Sequence, residues 1–229
     1  MTLQVLITGA NRGIGLEFTK QYAEDGWDVL ACCRDVQHAS ALLDLAKTHN
    51  NIRVLGLDVA NFAQIDALAL QLKDESIDLL INNAGVYPES NLGDADVDAW
   101  LEAFKINSIA PLKMATAFKA QIAKSQLKKL ATLSSKMGSM TDNTSGGSYI
   151  YRSSKASVNM VMKSLSIDLG TAGIAVLTLH PGWVLTAMGG SNALIDTQTS
   201  VTGMRKVIEN LNINNTGKFI AYDGKEIGW

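Results

Sequence analysis

Cysteine, histidine and unbalanced charge are all scarce in this chain of 229 residues, and each scarcity excludes something. The two cysteines, Cys32 and Cys33, are adjacent. Neighbours on a strand point to opposite faces and cannot bridge each other, so both read as structural thiols. Unbridged thiols suit a reducing compartment, and a cytoplasmic location is expected. There are three histidines, none beside a cysteine or another histidine at metal-ligand spacing, so no metal site is expected. Twenty Lys and Arg against 22 Asp and Glu leave a net charge of −2. That balance offers no basic face to nucleic acid, and any bound anion must be held by local groups. No apolar run approaches the roughly 18 residues that would suggest a membrane span. The N-terminus enters an apolar strand at once, without the basic and apolar segments of a signal peptide.

What is present is an ordinary globular mixture, 47% hydrophobic and 18% charged, at a length that suits one α/β domain over residues 1–229. Short apolar runs at Leu3–Thr8, Val29–Cys33, Ile52–Leu57, Ile77–Asn82, Lys129–Ser134, Ile174–His180 and Gly217–Ala221 read as strands. Most are apolar at consecutive positions, as a parallel sheet covered on both faces requires. Between them the period is helical. The stripes are Val36, Ala39, Leu43 and Ala46; Ile65, Leu68, Ala69 and Leu72; Val97, Trp100, Leu101 and Phe104; Val158, Val161, Met162, Leu165 and Leu169; and Val201, Met204, Val207, Ile208 and Leu211. The alternation predicts a doubly wound, Rossmann-type parallel sheet of about seven strands, with ligands at the carboxyl ends where the winding reverses. Two irregular segments, Lys136–Ser148 and Ala187–Ser200, follow strands of the second half and are expected to flank that cleft.

Between the first strand and the first helix stands Thr8-Gly9-Ala10-Asn11-Arg12-Gly13-Ile14-Gly15. Gly9 can take the positive φ of a tight turn, Gly13 lets backbone approach a pyrophosphate, and Gly15 permits close helix–strand contact. The helix N-terminus offers free N–H groups to an anion. About 20 residues on, where an NAD site needs a carboxylate, stand Cys33 and then Arg34. A guanidinium there suits a 2′-phosphate. One charge-assisted hydrogen bond of about 1.5–3 kcal/mol gives about 10- to 150-fold preference. Arg12 is a second candidate for that contact. Two alternatives stay open: Arg34 pairs with Asp35, or Asp35 itself serves as a ribose ligand.

Further on, Tyr151 and Lys155 stand four apart, on one face of a helix. An ammonium about 4 Å from a phenol at an effective dielectric of about 20 favours phenolate by about 4 kcal/mol, or about three pKa units. Such a pair is a proton donor poised near working pH.

These motifs fall in an order that resembles the short-chain dehydrogenases/reductases along nearly the whole chain. The glycine loop resembles their T-G-x-x-x-G-x-G. Asp58 and Val59 resemble the adenine contact after the third strand, and Asn82-Asn83-Ala84-Gly85 the N-N-A-G after the fourth. Asn107, Ser135 and the Tyr151/Lys155 pair align with the catalytic set. Pro181-Gly182 through Val184 to Thr186 resembles the P-G-x-x-x-T that meets a nicotinamide. The resemblance implies that Ser135 polarises a carbonyl, Tyr151 gives the proton, and Lys155 tunes Tyr151 and holds the nicotinamide ribose. Asn107 is implied to position a water that relays protons. Ser134 is a neighbour that a one-residue shift would exchange with Ser135. The implied activity is NADPH-dependent reduction of a ketone or aldehyde, in the manner of the C-factor-like and Sniffer-like carbonyl reductases, with NADH less favoured. A nucleotide-binding signalling protein with incidental turnover is the alternative. A homodimer through the helices at Leu101–Lys124 and Tyr151–Gly170 is also implied. The Ser135–Tyr151 spacing of 16 is longer than the family pattern, and the Gly-Gly-rich segment before Tyr151 is expected to absorb it. Met137, Trp183 and Met188 are candidates for an apolar pocket wall, whereas His180 is expected only to end its strand.

Overall fold

The computed structural model describes residues 2–229. One seven-stranded sheet runs through it: β1 Gln4–Thr8, β2 Asp28–Cys33, β3 Ile52–Gly56, β4 Leu79–Asn82, β5 Lys129–Leu133, β6 Ala175–His180 and β7 Lys218–Ala221. The spatial order is β3-β2-β1-β4-β5-β6-β7, and every neighbouring pair is parallel. The winding reverses between β1 and β4, so their carboxyl ends open the crevice in which such sheets bind ligands. All seven expected strands form. The differences lie at their ends: Ile77 and Asp78, for example, precede β4.

The consecutive apolar residues of each strand divide between two cores. Leu6, Leu30, Leu80, Leu130 and Val176 pack on one side with Ile65, Met114, Phe118, Val158 and Met162. Val5, Ile7, Val29, Ile81 and Leu177 pack on the other with Phe18, Leu42, Val201 and Met204. Side chains alternate along a strand, so burying both faces makes most strand positions apolar, and the polar ones are buried with partners, as Asn82 Nδ2 is with Thr132 Oγ1 at 3.1 Å. Cys32 belongs to the first core and Cys33 to the second.

Helix α1 spans Gly13–Glu24, α2 Ser40–Thr48 and α3 Phe62–Gln71. In α2 the buried residue is Leu42 rather than Leu43, because the helix begins only at Ser40 and Val36 lies outside it. Helix α4, Val97–Phe104, holds a larger surprise. Its buried residue is Ala103, while Val97 and Leu101 are each 65% exposed. A π-turn at Lys105–Ile109 follows, then α5 Ala110–Ala117 and α6 Lys119–Ala123. The helical stretch expected over Leu101–Lys124 therefore carries a π-bulge at Lys105–Ile109 and is interrupted only at Phe118. Pro111 has no N–H to give the carbonyl of Asn107 four residues back, and the Ala110 N–H bonds instead to Lys105. Helix α7 covers Tyr149–Asp168 and α8 Thr197–Glu209. The irregular segment after β6 ends earlier than Ser200, because the Asp196 carboxylate caps α8 by accepting from the Thr199 N–H at 2.7 Å.

Candidate active site

The glycine loop leaves β1 in a conformation that side chains disfavour. Gly9 has φ +66° and Gly13 φ +53°. A Cβ on Gly15 would lie 2.1 Å from the Gly9 carbonyl oxygen, so the loop folds against the first turn of α1 only with glycine there. Asn83 braces this turn from the neighbouring strand. Its Nδ2 donates to the carbonyls of Thr8 at 2.8 Å and Gly9 at 3.0 Å, and its own N–H donates to Thr8 Oγ1. The Ala84 N–H shares that hydroxyl. Asn83 thus acts on the loop, and its amide is engaged by protein. Asn11 and Ile14 sit half-buried along the same turn. Thr186 reaches the loop from the other side of the crevice, its methyl 3.3 Å from where a Gly13 Cβ would stand.

At the end of β2, Arg34 is exposed, and Asp35 turns to His38: His38 Nδ1 lies 2.6 Å from Asp35 Oδ2. The His38 hydrogen bond holds the Asp35 carboxyl below its usual range. Arg34 therefore has no salt bridge to Asp35, and among the described residues it carries no ion pair. Arg12 is also exposed, at the mouth of the glycine loop. Asp58 is half-buried after β3, with Oδ1 accepting from the Ala60 N–H at 3.0 Å, while Val59 is buried in the core. After β6, Pro181 and Gly182 are half-buried, Val184 is buried, and Gly182 takes φ +86°. Leu185 N–H donates to the Ile195 carbonyl at 2.8 Å, tying the first part of this segment to its end. These groups could hold a dinucleotide phosphate: two free guanidinium groups, a glycine turn with open N–H groups, and a carboxylate turned elsewhere.

The two serines at the end of β5 separate by their partners. Ser134 is buried and donates to Asn159 Oδ1 at 2.5 Å, a structural engagement. Ser135 accepts from the Met137 N–H at 3.2 Å, and its hydroxyl lies on the Tyr151 side, where it favours ionisation of the phenol. Tyr151 is 8% exposed and Lys155 5%. Lys155 Nζ donates to the Leu133 carbonyl at 2.9 Å and stands 5.7 Å from the Tyr151 ring centroid.

The lowered Tyr151 pKa expected from that ammonium is not what this geometry gives. Burial dominates both groups: it pushes the phenol up to about 12 and Lys155 down to about 8. Ring-face contact, rather than approach to the phenol oxygen, leaves desolvation stronger than attraction. Asn107 is held in place through its side chain. Its Oδ1 accepts from the Val86 N–H at 2.9 Å, and its Nδ2 donates to the Val86 carbonyl and to Ser154 Oγ, each at 2.9 Å. Both side-chain donors are taken by protein, and the main-chain carbonyl of Asn107 is the one that Pro111 cannot satisfy. Gly85 stands between these parts: a Cβ there would lie 3.2 Å from Asn107 Oδ1 and 3.7 Å from Lys155 Nζ.

His180 accepts from the Lys136 N–H at 3.3 Å, and burial lowers its pKa to about 4, so it is neutral at working pH. Trp183 and Met188 are half exposed, and Met137 is half-buried. Sequence reasoning missed Tyr87, whose ring lies 4.5 Å from that of Tyr151, and Ser154, which seats Asn107. Ser154 was open to inference, since it precedes Lys155 on the same helix; Tyr87 carried no signal. Among the described residues no helix is long and apolar enough to cross a membrane, and no cluster of three metal-ligating side chains forms.

Residues 4–194 match the family model described as short chain dehydrogenase. The C-signal protein of Myxococcus xanthus is 42% identical over 164 residues, covering 71% of this chain and 99% of its own length. The carbonyl reductase Sniffer of D. melanogaster superposes with a TM-score of 0.93 at 35% identity, covering 100% of both chains. The NADPH-bound carbonyl reductase from chicken fatty liver does so with a TM-score of 0.93 at 34% identity, again over 100% of both.

Proposed function

This chain belongs to the short-chain dehydrogenase/reductase family, and from that premise we propose that it is an NADPH-dependent reductase of ketones or aldehydes. The observation that carries the reading is the meeting of Ser135, Tyr151 and Lys155 at the carboxyl ends of the strands, beside a glycine loop whose nearby charges are the free Arg12 and Arg34. The NADPH bound to the chicken reductase, a protein of the same fold throughout, supports the choice of cofactor.

In this scheme Gly9, Asn11, Arg12, Gly13, Ile14 and Gly15 cradle the diphosphate, and Arg34 meets the 2′-phosphate. Asp58 and Val59 flank the adenine, Ala84 and Gly85 the adjoining ribose. Pro181, Gly182, Val184 and Thr186 line the nicotinamide end. Bound NADPH supplies the hydride. Ser135 donates a hydrogen bond to the substrate carbonyl oxygen, and Tyr151 gives its proton to the same oxygen as negative charge develops there. A phenol with a pKa of about 12 holds its proton through the neutral range. An alkoxide is a much stronger base than a phenolate, so the transfer runs downhill once the oxygen is charged. Lys155 is cationic below about pH 8 and stabilises the phenolate left behind. The carbonyl of Asn107 holds the water through which Tyr151 regains a proton.

NADPH and NADH absorbance followed with purified protein and a panel of ketones, aldehydes and diketones tests this directly. Turnover with NADPH that is lost in Tyr151→Phe, with folding intact, is the expected result. A general acid contributes about 10²- to 10⁴-fold. Retained turnover in that variant would overturn the assignment.

One observation favours a second reading, a nucleotide-binding signalling protein: the 42% identity to C-signal. Tight NADPH binding without turnover on any carbonyl would select it, although a pure sensor needs no buried proton donor. The two free thiols, Cys32 and Cys33, fit a reducing, cytoplasmic setting. Leu101 on α4, Leu112 on α5, and Met160 and Ile167 on α7 face solvent and support a homodimer through those helices. Light scattering of wild type against Met160→Glu tests it, and a monomeric wild type would exclude it.

A further inference from the structure

We propose that Tyr87 and Ser148 form a latch across the mouth of the site that sets the size of carbonyl compound reaching Tyr151. The inference rests on the reading of Tyr151 as proton donor. Tyr87 follows Gly85-Val86 in the loop after β4, and its ring centroid lies 4.5 Å from that of Tyr151, tilted by 54°. Its hydroxyl lies 2.9 Å from Ser148 Oγ. The bond joins loops 61 residues apart, beside the buried Tyr151.

The backbone before α7 is built to deliver Ser148. Gly146 and Gly147 each take φ +64°, and Ser148 itself takes φ +47°. A Cβ on either glycine would meet nothing within 4 Å, so glycine is required by backbone angle and not by space. A serine in the left-handed region is disfavoured where a third glycine would be relaxed. What Ser148 adds is a hydroxyl, and the hydroxyl meets Tyr87. This turn lies within the long Ser135–Tyr151 segment. Arg152 fixes its near side: Nε donates to the Gly146 carbonyl at 3.1 Å, one terminal nitrogen to Ser145 Oγ at 2.8 Å and the other to the Met137 carbonyl at 3.2 Å. Tyr87 is 37% exposed and is the arm free to swing. A small carbonyl passes beside the closed ring, whereas a bulky one requires the bond to break.

Breaking one neutral hydrogen bond shifts an equilibrium about two- to tenfold. Tyr87→Phe and Ser148→Ala should each raise kcat/KM for benzophenone relative to butan-2-one by that factor, chiefly through KM. The double variant should do no more than either single one, because both remove the same bond. A size ratio unchanged in both variants, or additive effects, would overturn the latch. Nitration of Tyr151 by tetranitromethane, read by peptide mass spectrometry, gives a measure independent of turnover. It should quicken by the same factor in both variants, and equal rates in all three proteins would also overturn the proposal. If the wild type reduces no carbonyl at all, the reductase reading falls, and the nitration rates alone decide the latch. Thermal melting confirms that each variant is folded.

Discussion

Lys155 faces the Tyr151 ring from 5.7 Å while its hydrogen bond goes to the Leu133 carbonyl on β5. The ammonium is therefore anchored to the sheet and presented to the phenol as a charge, with no hydrogen bond between the two side chains.

On the proposed mechanism that arrangement sets the pH dependence of reduction. Tyr151 keeps its proton up to about pH 12, whereas Lys155 loses its charge near 8. The descending limb therefore belongs to Lys155: kcat/KM should be level through neutrality and fall about tenfold per pH unit above about 8. Lys155→Met should be slow at every pH and lack that limb. A wild-type limb beginning only near pH 10 or above would contradict the assignment.

Cofactor choice should depend on Arg34. Its neighbour Asp35 is turned to His38 and forms no ion pair with it. The site is exposed, so solvent reduces a charge-assisted bond to the low end of its range, and Arg34→Ala should lower the NADPH-over-NADH ratio of kcat/KM by about tenfold. An unchanged ratio would remove Arg34 from the 2′-phosphate site.

Gly15→Ala should damage both fold and binding. The added methyl would fall 2.1 Å from the Gly9 carbonyl oxygen, which is backbone and cannot swing away. Overpacking of this kind costs about 1–3 kcal/mol, read as a lower urea midpoint. Calorimetry should show NADPH affinity falling with it, because the displaced turn is the proposed phosphate cradle.

Asn107→Ala removes three hydrogen bonds that hold the Val86 backbone and Ser154. Leaving those buried partners open costs about 1–3 kcal/mol each at most, and kcat should fall more than KM rises. Asn107→Asp loses the two donors but keeps an acceptor for Val86 N–H, so it should recover part of the stability. Equal stability in both variants would show that the Val86 N–H bond is without weight.

The seven strands were legible because burial on both faces forces consecutive apolar residues, a pattern few other structures need. The glycine loop and the Tyr151/Lys155 pair were legible because each is local in sequence. Four features were not. The apolar stripe of α4 gives a period but no direction, and Val97 and Leu101 face solvent rather than the core. The phase of α2 turned on where the helix begins, which placed Leu42 inside instead of Leu43. The raised phenol pKa depends on how completely Tyr151 is buried and on the ring-face position of Lys155, neither of which a four-residue spacing reveals. The Tyr87–Ser148 contact, between two loops, has no signature in either segment alone.

Cys32 and Cys33, neighbours in the chain, lie in opposite halves of the molecule, and this makes them paired reporters of opening. Burial raises both thiols, Cys32 to about 12, so neither reacts with a thiolate-seeking reagent until its own half exposes it. One labelling time course, resolved by mass, therefore reads the two faces of the sheet separately within a single peptide. Equal rates would mean that the halves open as one cooperative unit; unequal rates would say which layer of helices lifts first.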